Sequence, residues 1–273
     1  MSTVSPVAVV PRRQSDAATD SPKAVAVFGR YLYAVVPARQ ASKDYGSIGL
    51  GGRPVYVISN GRVAAVVSDL PNERLRPQRA HLAAHHGVLK HLMAAEESVL
   101  PISFGVIADG PFAVQKFLSA NQARFVAALE QVRGTAEMGL RVSWDVPNIF
   151  EYFVAAHEDL RALRDHLFRG GREPAHNDKI ELGRLFDRCL QDDRAAHLEH
   201  VLAVLRPRCR DIRENPPRDE REVLHLACLV ERGQAEAFEQ AVFEAARRFD
   251  GHFAFDFNGP WPPYNFVDTE VEV

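Results

Sequence analysis

The residues that first suggest chemistry in this sequence are three histidines in one short stretch, His81, His85 and His86. On a helix, His81 and His85 fall one turn apart and can offer two imidazoles to one metal ion, with His86 close by. The residues between the first two, Leu82, Ala83 and Ala84, lack the glutamate of a metalloprotease helix, and no spacing fixes a third ligand. A metal- or small-ligand-binding enzyme built on these histidines is therefore the alternative reading. The ordinary reading is a helix face partly open to solvent.

The other reactive residue types are less suggestive. Gly46, Gly49, Gly51 and Gly52 follow a strand-like run, but the chain continues through Arg53-Pro54 into another strand and not into a helix, so a phosphate would lack the helix N-terminus that holds it. Cys189, Cys209 and Cys228 are odd in number and far apart, which fits a reducing compartment better than a disulfide framework. Asp192, Asp193, Asp219, Glu220 and Glu222 stand among arginines and read as a solvated ion-pair surface. The sequence contains no nucleophile elbow, phosphate loop or kinase signature. It therefore calls for no catalytic residue, cofactor or metal.

A formal charge of -3 without a basic block argues against nucleic acid and against an anionic lipid surface. No apolar run approaches the roughly 20 residues of a membrane span. The expected location is the cytoplasm.

The elements that must position any site can be read along the chain. Residues 1–24, rich in Ser, Pro, Ala and Asp, read as a disordered tail. Phe28 to Val36 is a buried strand ending at Pro37. Val55–Ser59 and Arg62–Ser68 flank Asn60-Gly61 and form a β-hairpin. Gln78 to Glu97 carries Leu82, Leu89, Leu92 and Met93 at helical spacing, and Val99 to Ile107 returns as a strand. Asp109 is placed to cap a helix carrying Phe112, Phe117, Phe125, Val126 and Leu129.

Met138 to Trp144 alternates as a strand. Asn148 and Glu151 have capping-box spacing before a helical stripe that runs to Gly170-Gly171. A long helix spans about 177–205, Val223 to Val230 is a central strand, Phe238 to Phe249 marks another helix, and Phe253, Phe255 and Phe257 mark a last strand. Gly259-Pro260-Trp261-Pro262-Pro263-Tyr264-Asn265-Phe266 reads as irregular. The expected class is α+β: two linked ferredoxin-like or modified ferredoxin-like sheets, 25–133 and 134–258, with helices on one face, then a Pro/aromatic tail over 259–273.

That tail, with Val99–Gly105, Glu137–Trp144 and Tyr31–Val36, resembles the GvpL/GvpF family of gas vesicle proteins across nearly the whole chain after the first two dozen residues. The resemblance implies an accessory or minor structural component of gas vesicles. It would bind the hydrophobic major shell protein, and other accessory proteins, and limit shell-protein aggregation during assembly, with no catalysis. The first places to look for a partner surface are Trp261, Pro262, Pro263, Tyr264 and Phe266, then Phe104 and Trp144.

Overall fold

The computed structural model describes residues 28–38, 44–171 and 173–267; the expected tail over 1–24 lies outside them. Two antiparallel sheets organise the chain. The first contains β1 (Phe28–Pro37), β2 (Asp44–Gly46), β3 (Val55–Ser59), β4 (Val63–Pro71) and β5 (Leu100–Pro101) in the order β2-β3-β4-β1-β5, with β6 (Ile107–Ala108) also paired to β1. The second contains β7 (Thr135–Trp144), β8 (Asp211–Asn215), β9 (Glu222–Glu231) and β10 (Phe253–Trp261) in the order β10-β7-β9-β8. The helices are α1 (Arg79–Ala95), α2 (Pro111–Ala120), α3 (Gln122–Gln131), α4 (Ile149–Ala156), α5 (Glu158–Leu167), α6 (His176–Leu205) and α7 (Ala235–Ala246).

The β3–β4 hairpin forms as expected, but its central turn residues are Gly61 and Arg62, one position on from the expected Asn60-Gly61. Asn60 N–H donates to the Val63 carbonyl at 3.1 Å, leaving Gly61 and Arg62 in the turn with φ +97° at Gly61. The Asn60 side chain accepts from the Arg62 and Val63 amides at 3.2 and 3.1 Å. In β1 a bulge at Tyr33 sends Tyr31, Tyr33 and Val36 to one face and Leu32 and Val35 to the other. Helix α1 covers the first face with Val88, Leu89 and Leu92, while α2 and α3 cover the second with Val114, Phe117, Phe125 and Leu129. The α+β class holds, but the first sheet has helices on both faces, one layer more than expected.

The second sheet carries α4 to α7 on one face around Leu140, Trp144, Leu226 and Phe153. Its other face offers Ala227 and Leu229 of β9 to the core beneath α2 and α3, together with Phe266. β9 is thus buried on both sides, the environment that its continuous apolar run implies.

Several local expectations are corrected. The strand expected over Val99 to Ile107 is two short pairings, β5 and β6, because Gly105 (φ +95°) turns the chain between them. Asp109 does not cap α2; it accepts from Asn72 Nδ2 at 2.8 Å, and Gly110 takes the cap position. The helix that was to follow is broken at Asn121, and Phe112 is 80% exposed. The stripe after Asn148 is likewise broken, at His157, although Asn148 does accept from the Glu151 amide at 3.2 Å. Glu222 is not on a solvated surface: it is buried and ion-paired to Arg141 at 2.6 Å. Gly259 to Trp261 is not irregular, since β10 continues through a bulge to pair Trp261 with Glu137.

Candidate functional site

Helix α1 sends its three histidines to three different environments. His81 is half-buried, near the Arg76 carbonyl. His85 is 3% exposed, stacks on Tyr33, and holds Nδ1 2.7 Å from the Tyr31 hydroxyl. The same hydroxyl accepts from the Gly105 amide. Burial, then the neighbouring His86, lower the His85 pKa to about 4. His86 lies against Trp261, ring centroids 5.1 Å apart. Among the described residues no three His, Cys, Asp or Glu side chains converge as a metal site, and the enzyme reading loses the geometry that motivated it.

The partner of His86 leads to an apolar concavity. A cleft of about 400 Å³ opens between α1 and the second sheet. Met93 of α1, Ala136 and Met138 of β7, Val230 of β9 and Pro262 form a buried, wholly apolar base. His86, Lys90 and Ala94 form one wall, and Gly259, Pro260 and Trp261 the other. Trp261 is held upright by its indole N–H, which donates to Asn258 Oδ1 at 2.6 Å. The bulge that brings it there needs Gly259, at φ +132°, where a Cβ would lie 2.8 Å from Met138 Sδ and 2.9 Å from the Glu137 carbonyl.

Two arginines fasten the second sheet to the helices of the first. Arg232 donates from Nε to the Thr135 carbonyl at 3.0 Å and from Nη1 to the Glu96 carbonyl at 2.7 Å and to that of Met93, closing the end of α1. Arg210 donates to the carbonyls of Gln131, the last residue of α3, and of Arg133 beyond it, and pairs with Glu231. Acceptors at a helix C-terminus are natural partners for a guanidinium.

The structure separates the residues expected to meet a partner. Trp261 and Pro262 line the cleft. Pro263 is buried, and Phe266, 2% exposed, is part of the core under the Arg213 guanidinium. Tyr264 is half-buried, and burial, then the Glu137 carboxylate, push its pKa up to about 12. Glu137 clamps this segment by accepting from Asn265 N at 2.8 Å and Nδ2 at 2.6 Å. Phe104 packs edge-on to Tyr31 and His85, and Trp144, 1% exposed, belongs to the second core. Sequence reasoning missed Met93, Met138, Lys90 and Arg232. A usable signal existed in the methionines: the sequence has three, and the two beyond Met1 meet here.

Residues 29–268 match the family model described as gas vesicle synthesis protein GvpL/GvpF. The chain belongs to the GvpL/GvpF family. Among GvpL/GvpF relatives, gas vesicle protein F of a Streptomyces species is 29% identical over 87% of this chain and 99% of its own length. Gas vesicle protein F of a Nostoc species is 23% identical over 88% and 98%. The crystal structure of GvpF from an Anabaena species superposes with a TM-score of 0.77 at 23% identity, covering 90% of this chain and all of that one. The arrangement of two sheets and their helices is therefore the GvpF fold, and the chain is a gas vesicle protein.

Proposed function

We propose that this chain is an assembly protein of gas vesicles that holds the hydrophobic major shell protein through the cleft between α1 and the second sheet. The supporting observation is the cleft itself: an open, apolar concavity of about 400 Å³ based on two methionines and walled by Trp261 and Pro262. A wall that faces gas needs an apolar inner surface, so its subunits carry aggregation-prone faces before they assemble. Methionine thioethers are unbranched and polarisable, and they adapt to several apolar side chains. The role is one of binding and not of catalysis, and it is exercised in the cytoplasm, where other accessory proteins are further candidate partners.

Co-purification with the major shell protein tests this reading. Wild type should retain the shell protein. Ala94→Arg, which places a charged side chain at the cleft wall, should lose most of it while keeping a wild-type circular dichroism spectrum. Failure of the wild type to retain shell protein that stays in solution would overturn the proposal.

A further inference from the structure

The base of the cleft is apolar, but its mouth carries a specific charge. Lys90, on the exposed side of α1, has no ion-pair partner among the described residues. Arg232 lines the same cleft with its guanidinium satisfied by backbone carbonyls and not by a carboxylate. The one acidic lining residue, Glu231, is already paired with Arg210. Two cations without carboxylate partners thus border an apolar floor.

The walls narrow the manner of binding. Pro260 and Pro262 have no backbone N–H, so this side cannot accept a visiting strand by continuing a ladder. Recognition must come from side chains inserted between Trp261 and α1. The volume lies within the range of sites that bury small groups, about 300 to 1,000 Å³.

Resting on the proposed shell-protein role, we infer that the cleft takes a segment of that partner in which aliphatic side chains stand beside an acidic one. The aliphatic groups occupy the Met93–Met138 floor, and the carboxylate lies at the mouth between Lys90 and Arg232. Lys90 is the specificity-determining residue. Apolar burial supplies attraction for any greasy segment, whereas the unpaired cations exclude basic ones and orient the acidic ones.

The methionines provide the measurement. With [13C]methyl-methionine, Met93 and Met138 each give a methyl signal from the cleft floor. The probes are two peptides, acetyl-Gly-Leu-Ile-Glu-Leu-Gly-amide and its counterpart with Lys in place of Glu. The Glu peptide should move the Met93 and Met138 signals. It should bind about fivefold more tightly than the Lys peptide, the scale of one exposed ion pair gained and one like-charge contact avoided.

Lys90→Glu should abolish or reverse the preference, and raised salt should shrink it in the wild type. Equal binding of the two peptides, or no movement of either cleft methionine, overturns the inference. Retention of shell protein by wild type is scored separately. If it is retained while the peptides leave both methionines unmoved, the charge-selective cleft falls and the assembly role stands. If it is not retained, the assembly role falls, and the peptide titrations alone judge the cleft chemistry.

Discussion

Acidification should destabilise this protein through one buried ring, His85. Its imidazole is hydrogen-bonded at Nδ1 to the Tyr31 hydroxyl and stacks on Tyr33. Burial is the main reason that its pKa falls from 6.5 to about 4. The folded chain therefore binds fewer protons than the unfolded chain between those values, so its stability must fall as pH drops through that window. At 1.36 kcal/mol per unit, going from pH 8 to pH 4 removes about 3 kcal/mol through this group alone.

Burial also lowers the pKa of His197 and His225, so the wild-type curve contains more than one contribution and a comparison is needed to isolate His85. His85→Gln keeps a polar side chain that does not titrate. Urea unfolding, followed by tryptophan fluorescence, should find the variant less stable at pH 8, with the gap narrowing by about 3 kcal/mol at pH 4. A histidine titration by NMR should place the wild-type midpoint near 4. A gap that stays constant across this range, or a midpoint near 6.5, would refute the argument.

Two further substitutions test how the cleft is held together. Arg232→Met keeps the apolar stem but removes the donors to the Thr135, Met93 and Glu96 carbonyls. It should cost about 2 to 3 kcal/mol after allowing for partial exposure, and speed amide exchange around residues 93–97; unchanged exchange there would mean that this fastening is not structural. Gly259→Ala forces a Cβ to within 2.9 Å of the Glu137 carbonyl in a left-handed backbone region. It should lower stability by about 1 to 3 kcal/mol and move the Met138 methyl signal, and a thermal unfolding curve identical to wild type would contradict this.

What the sequence alone determined was mostly local. Asn60-Gly61 between two β-branched runs signals the β3–β4 hairpin, although the turn itself falls at Gly61-Arg62, Asn148 specifies the start of α4 by accepting the Glu151 amide, and the unbroken apolar run of β9 announces a strand buried on both faces. The family resemblance was also legible there, in motifs whose order the fold preserves. Only the tertiary structure decided which aromatic residues line the cleft and which enter the core. Trp261 and Phe266 stand in one Pro/aromatic run, but the Gly259 bulge turns the first toward His86, while Glu137, 128 residues away in the chain, clamps Asn265 and directs the second into the core. The cleft itself is a long-range product: Met93, Met138, Val230 and Pro262 come from four separate segments. No local pattern of spacing records that they meet, because packing between the two sheets, and not the period of any one helix or strand, brings them together.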